Sequence, residues 1–223
     1  MGWLPCGEEV ILPPRNDYAW PCDKSRTYDR PHPADCARCA AKSLTFTALR
    51  FVEAAPDDGK APVSVRSRGG IVTFVSRCKN DTIWRAEGAE HGDFTLTATL
   101  KITAGPSNVG NGVLFRFKEG RFFSLQLANT GHCALWAWDG KKYDSLKLAP
   151  DQTEAWLICP AIKRNAANTV TVRARGEEIR VSINGVEIGG ARSSLSASGA
   201  VGLHVFGGCT VEYSDVKIAR LGE

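Results

Sequence analysis

The sequence predicts an all-β fold, a two-sheet antiparallel jelly-roll sandwich preceded by an irregular Cys/Pro-rich N-terminal arm. Three observations carry this. Short runs in which apolar and polar residues alternate recur along most of the chain, the pattern of strands that bury one face. Tight-turn residues separate them, as in Lys118-Glu119-Gly120-Arg121 and Asn184-Gly185. No stretch has the 3.6-residue apolar spacing of an amphipathic helix. At 223 residues the chain is long enough to bury a large core in one sandwich. Its net charge of +4, with no block of consecutive basic residues, gives no electrostatic footprint for nucleic acid. No apolar run reaches the roughly 20 residues of a membrane-spanning helix.

Residues 1–42 form the first predicted unit. They hold six of the 11 prolines and four of the eight cysteines, and they lack alternation. Proline removes backbone donors, so an extended arm is expected. The start, Met1-Gly2-Trp3-Leu4-Pro5-Cys6, has neither the basic end nor the apolar segment of a secretion signal, and position 6 does not suit myristoylation. The expected compartment is the cytoplasm, unless the chain is a mature or excised segment of a longer product. Met1, the sole methionine, suits an initiator placed before such a segment.

From Ser43 to Glu223 the pattern is β. Leu44, Phe46 and Ala48 alternate in the first run, and a loop follows at residues 54–60. Runs around Val63, Ile71 and Thr82 lead to the sequence 94–102. There Phe94, Leu96, Ala98, Leu100 and Ile102 alternate with Thr95, Thr97, Thr99 and Lys101, a half-buried strand with a polar outer face. Further strands are expected around Tyr143, Asn168, Glu178, Val186, Ala200 and Cys209. Asn184-Gly185 between β-branched runs is the strongest hairpin signal, because both residues tolerate positive φ.

Between these lies a three-strand meander, residues 111–140, around which a ligand face is expected. Strict alternation sets Val113, Phe115 and Phe117 on one face and Leu114, Arg116 and Lys118 on the other. The next strands oppose Phe123, Leu125 and Leu127 to Ser124 and Gln126, then Cys133, Leu135 and Ala137 to His132, Ala134, Trp136 and Trp138. One face is apolar throughout. The other can gather Arg116, Gln126, Trp136 and Trp138, with Asp139 at the strand end and His204 from a later strand. Aromatic platforms stack on sugar rings while Arg, Gln and Asp bond hydroxyls, so these six residues are the candidate ligand site. The alternative is that the tryptophans simply pack beneath a loop or against the arm.

The Gly112-Val113-Leu114-Phe115-Arg116 strand, the Val181-to-Gly185 hairpin and the closing Gly199-to-Leu203 strand together resemble the concanavalin A-like lectin/glucanase superfamily. More narrowly, residues 44–221 resemble bacterial domains of the 3-keto-disaccharide hydrolase type. The resemblance implies the sandwich architecture and, at its narrower end, an enzyme acting on a glycoside. It carries over no catalytic residue, since the Glu-x-Asp-x-Glu strand of related endoglucanases is absent from this sequence.

Cys36-Ala37-Arg38-Cys39, with Cys6 and Cys22 before it, could gather four thiolates around structural zinc, form disulfides or stay reduced. Zinc is the marginal preference, because a C-x-x-C hairpin presents both sulfurs to one ion. His32 is a substitute ligand or a solvated loop residue. Cys78, Cys133, Cys159 and Cys209 lie in the sandwich; Cys133 alternates with core residues and is expected as a buried free thiol. His132 beside it points to the opposite face, which excludes a dyad. Glu87, Glu90, His91 and Asp93 cluster before a strand, and Glu177-Glu178 and Asp57-Asp58 sit at turns; all read as solvated loops. Asn80-Asp81-Thr82 fits a glycosylation acceptor. Three functions follow as expectations: a non-catalytic carbohydrate-binding or interaction module, a glycosidase-like enzyme, or a scaffold that docks a protein partner through the arm.

Overall fold

The computed structural model describes residues 44–53 and 61–222. Among them there is no helix, and fifteen strands follow in chain order. They are β1 (Thr47–Ala48), β2 (Val63–Arg68), β3 (Ile71–Ser76), β4 (Thr82–Arg85), β5 (Phe94–Ala104), β6 (Asn111–Lys118), β7 (Arg121–Ala128) and β8 (His132–Trp138). The remainder are β9 (Tyr143–Leu146), β10 (Leu157–Ile158), β11 (Asn168–Arg175), β12 (Glu178–Ile183), β13 (Val186–Arg192), β14 (Ala200–Val205) and β15 (Thr210–Arg220). The arm, its cysteines Cys6, Cys22, Cys36 and Cys39, His32 and the Asp57-Asp58 turn lie outside the described residues.

Two antiparallel sheets face each other. The first runs β13-β12-β11-β5-β15-β3-β2, with β1 on β15. The second runs β10-β8-β7-β6-β14-β4, with β9 also on β8. The chain crosses repeatedly between the sheets, so neighbours in sequence often lie in opposite layers. The predicted alternation explains the core. Phe94, Leu96, Ala98 and Leu100 of β5 face Phe115, Phe123, Leu125 and Leu135 of the second sheet, all of them buried. Phe94 meets Phe115 edge-on at 6.1 Å, and Phe115 stacks on Phe123 at 5.5 Å. The Tyr213 hydroxyl crosses the core from the first sheet to the backbone of the second, donating toward Gly112 O at 2.9 Å and His204 O at 3.1 Å. These two acceptors make burial of a phenol tolerable.

Both turns that the sequence marks have the expected backbone. Glu119 and Gly120 have φ of 52° and 78°, and Asn184 and Gly185 have 51° and 80°, the positive pair that matches the twist of a hairpin. The first run is shorter than the alternation of Leu44, Phe46 and Ala48 implies. Only Thr47 and Ala48 pair, and Leu44 and Phe46 are exposed, because this segment meets only one stretch of β15. β10 has only two residues, too few for any periodicity to mark it in the sequence.

The largest departure is within β6. The register slips between Phe115 and Lys118, and Arg116 adopts φ of 52°. This is a β-bulge, whose extra residue reverses the sidedness of the residues after it. Phe117 therefore leaves the face of Val113 and Phe115 and stacks on the outside with Phe122 at 6.0 Å. Arg116 turns inward instead of joining the outer face. Its guanidinium donates to Gly176 O at 2.7 Å, to Gly92 O at 3.0 Å and to Ser196 O at 3.2 Å, with Asp93 at 3.5 Å. A left-handed non-glycine backbone costs about 1–2 kcal/mol. Charged hydrogen bonds contribute roughly 1.5–3 kcal/mol each, so the side chain decides the outcome. Burial lowers the Arg116 pKa, and the Asp93 charge counters it. The residue is a clamp that ties the β11–β12 turn, the approach to β5 and the approach to β14 to one end of the sandwich.

Candidate functional site

The outer face of the second sheet is built in rows. Cα pairing aligns Ile83, His204, Gly112, Gln126 and Ala134 across β4, β14, β6, β7 and β8. Gly112 in that row lets β6 lie close against β7, where a Cβ would collide with Leu125 O. His204 reaches across the missing side chain of Gly112 toward β7, and its Nδ1 lies 2.9 Å from Ser124 Oγ. Gln126 Nε2 stands 3.3 Å from His204 Nε2 and donates to Ser124 Oγ at 3.4 Å. His204 Nε2 is also 3.3 Å from Asp81 Oδ2, just before β4. Ser124, Gln126 and His204 are all buried, whereas the Asp81 side chain is 28% exposed. The chain of groups thus runs from the sheet surface to a partly open carboxylate. With the ring proton on Nε2, His204 donates to Asp81 and accepts from the Ser124 hydroxyl at Nδ1.

Above this floor the connections supply aromatic walls. Trp136 projects from β8 beside Ser124, and Tyr143 opens β9 opposite Trp138. Trp156 stands on the approach to β10 and meets Trp136 edge-on at 6.1 Å. Tyr143 meets Trp136 at 6.0 Å, and its hydroxyl donates to Asp81 Oδ2 at 3.4 Å. Together Asp81, Gln126, Trp136, Tyr143, Trp156 and Phe206 line a cleft of about 260 Å³, completed by Asn108, Val109 and Gly110. A Cβ on Gly110 would collide with Gln126 Oε1 and stand 2.5 Å from the Trp156 ring, so only glycine lets this loop close on the floor. The loop carrying Trp156 is held by its own backbone. Lys147 Nζ donates to Thr153 O at 2.8 Å and Glu154 O at 2.9 Å, and Gln152 accepts from Leu148 N at 2.8 Å. Desolvation, then the Asp81 charge, push the Tyr143 phenol well above its ordinary range, so it remains a donor.

Of the six candidates from sequence, Gln126, Trp136 and His204 come together here. Trp138 lies alongside, packed on Tyr143 at 4.6 Å and on Phe122 at 6.4 Å, and does not line the cleft. Asp139 closes its own turn, accepting from Lys141 N at 2.7 Å and Lys142 N at 2.9 Å, and those bonds hold its carboxyl below the usual range. Arg116 lies inside the sandwich. Sequence reasoning missed Asp81, Tyr143, Trp156 and Phe206. Asp81 was hidden in the Asn80-Asp81-Thr82 triplet, and Trp156 precedes a strand too short to show. Among the described residues no three His, Cys, Asp or Glu side chains gather as a metal site.

A family model described as the 3-keto-alpha-glucoside-1,2-lyase-like domain matches residues 53–219. No curated protein matches the sequence. Among solved structures, the carbohydrate-binding module CBM66 from Bacillus subtilis superposes with a TM-score of 0.57 at 15% identity, covering 79% of this chain and 97% of that one. A functionally unknown protein from Saccharomyces cerevisiae gives 0.55 at 17% identity, covering 78% and 97%. A Parabacteroides distasonis protein described as a candidate glycosyl hydrolase gives 0.51 at 15% identity, covering 70% and 90%. At such identities the likeness is one of fold.

Proposed function

This chain belongs to the 3-keto-alpha-glucoside-1,2-lyase-like domain family, and from that premise we propose that the cleft between Trp136 and Trp156 binds carbohydrate. The observation that carries the reading is the pairing of aromatic walls with a floor of oriented polar groups. Trp136, Trp156 and Tyr143 offer flat apolar surface to the C–H faces of a sugar ring. Gln126 and Asp81 offer acceptors for its hydroxyls; the Gln126 amide is held by Ser124, and Asp81 by His204 and Tyr143. Fixed partners lower the ordering cost of binding, which is what lets a small cleft discriminate among ligands. The likeness in fold to a carbohydrate-binding module supports the same direction. Calorimetric titration of neutral disaccharides and their 3-keto derivatives tests it. Saturable heat that disappears in Trp136→Ala is expected; no heat with any of these sugars would remove the proposal.

One observation favours a catalytic use of the same cleft. Asp81 is a carboxylate open to the cleft and backed by an imidazole, the arrangement of an oriented general base. A 3-keto sugar has an acidified C2–H next to its carbonyl. In this reading Asp81 removes that proton, with His204 holding the carboxylate, the C1–O bond breaks as the C1–C2 double bond forms, and the departing oxygen takes a proton from solvent water. Mass spectrometry of a 3-keto disaccharide incubated with the protein distinguishes the readings. Release of the C1 substituent that is lost in Asp81→Asn supports elimination, while intact sugar that binds saturably supports binding alone.

A further inference from the structure

A row of aromatic rings crosses the outer face of the second sheet beside the cleft. Phe117 of β6 stacks on Phe122 of β7 at 6.0 Å. Backbone pairing then sets Phe122 opposite Trp138 of β8, and Trp138 opposite Tyr143 of β9. Their ring centroids are 6.4 Å and 4.6 Å apart. Neighbouring strands lie about 4.8 Å from one another, so a row over four of them spans roughly 14 Å. Successive ring planes differ by 24°, 34° and 47°, closer to parallel than the contacts of Trp136 with Tyr143 and Trp156, at 72° and 73°. Phe122 is 5% exposed and touches the other three rings, which fixes their spacing. Phe117 and Trp138 are half-buried, and Tyr143 is exposed.

Two features distinguish this row from ordinary packing. Strict alternation would send Phe117 into the core beside Phe115; the bulge at Arg116 delivers it to the outer face instead. Bulges that re-aim a side chain in this way are concentrated next to functional sites. Tyr143 is also both the last ring of the row and a wall of the cleft, so the two surfaces are continuous. At the opposite end the exposed Arg85 guanidinium lies 5.1 Å from the centre of the Phe117 ring.

We propose that the cleft and the row form one extended site for a linear oligosaccharide of hexopyranose units. The inference rests on the carbohydrate reading of the cleft and specifies the ligand by its length. The cleft takes one end of the chain, and Tyr143, Trp138 and Phe117 support the units beyond it. A pyranose with equatorial hydroxyls turns axial C–H bonds to its two faces, an apolar surface that aromatic rings accept. Linked units repeat at a distance close to the spacing of strands, so rings on adjacent strands meet successive units. Arg85 closes the row with N–H donors for the hydroxyls of the last one.

The full-length protein is titrated calorimetrically with linear glucose di-, tri-, tetra- and hexasaccharides, α-linked and β-linked. In one of the two series Kd is expected to fall about tenfold from the disaccharide to the tetrasaccharide, the scale of one aromatic anchor. Trp138→Ala is expected to level that series. Arg85→Ala, a change at an exposed position, is expected to weaken the hexasaccharide about fivefold and keeps the test open should the tryptophan variant not fold. Equal affinity at every length, heat with the disaccharides alone, or a Trp138→Ala protein that loses every length by the same factor would overturn the extended site and leave the cleft reading in place. Hexasaccharide binding unchanged in Arg85→Ala would also overturn it. Absence of heat with every sugar, disaccharides included, would remove both.

Discussion

The two sheets have outer faces of opposite character, although the same alternation produces both. On the first sheet the outward residues of β5 and β11 are Thr97, Thr99, Thr169 and Thr171, paired across strands, with Thr99 and Thr169 bonded hydroxyl to hydroxyl at 2.8 Å. Arg180 there is satisfied by Glu178 and Glu187 at the surface. On the second sheet the outward residues of β7 and β14 are Ser124, Gln126 and His204, and they are buried. The difference lies in what covers the strands. Asp81 from the β3–β4 connection, Tyr143 from β9 and Trp156 from the connection before β10 pack over the second sheet, so its polar groups lose water and must find partners. A polar outward residue is thus ordinary where it keeps contact with water and informative where it is buried.

The most severe test of this contrast is Arg116, which simple alternation assigns to the second outer face. Arg116→Leu leaves Gly92 O, Gly176 O and Ser196 O without their donor and Asp93 without its ion pair. We expect a loss of about 3–5 kcal/mol in urea unfolding, since hydrogen bonds to charged groups contribute roughly 1.5–3 kcal/mol each and three carbonyls lose theirs. If stability held and only ligand binding fell, Arg116 would belong to the face after all.

Trp136→Ala removes one wall of the cleft and leaves the core intact. A loss of about 2 kcal/mol in binding, roughly 30-fold in Kd by titration, is the expected size for an aromatic anchor. A comparable loss of folding stability with unchanged affinity would make Trp136 mere packing. Asp81→Asn keeps the shape and removes the charge facing His204. Hydrogen bonds to charged groups contribute roughly 1.5 kcal/mol at the low end, so affinity should fall about tenfold.

Alkaline unfolding probes the covered groups differently. Burial raises the Tyr213 phenol far above its usual range, and Tyr143 is raised as well. A raised pKa in the folded state means that the unfolded chain ionises first, near pH about 10. The stabilising contribution is full below that pH and declines above it. Unfolding monitored against pH should therefore steepen beyond about pH 10, with the phenolate absorbance of these two residues emerging together with unfolding. Early titration of either in the folded protein would contradict their burial. The smallest effect is expected on the outer face of the first sheet, where Thr171 is only half-buried. Thr171→Ala should change stability by no more than about 0.5 kcal/mol and leave affinity unchanged. A clear loss of affinity would mean that the first sheet also carries a site.

Much of the architecture was legible in advance because period-two alternation and positive-φ turn residues are local signals. The strands around Val63, Ile71, Phe94, Asn168, Glu178 and Thr210, and the hairpin at Asn184-Gly185, follow from residues within a few positions of one another. The site was half legible. Gln126, Trp136 and His204 stand on long strands whose outward positions can be counted. Asp81, Trp156 and Phe206 lie in connections where counting has no reference.

By itself the sequence determined that this chain forms an antiparallel sandwich, which residues fill its core and which strands offer polar groups outward. Only the tertiary structure decided that Arg116 turns inside, because its bonding carbonyls lie 24 to 80 residues away in sequence and one bulged residue inverts a strand's faces. Only it decided that Asp81, Gln126, Trp136 and Trp156 share a cleft. Crossovers between the sheets bring distant connections together, and such long-range closure leaves no local periodic trace in the chain.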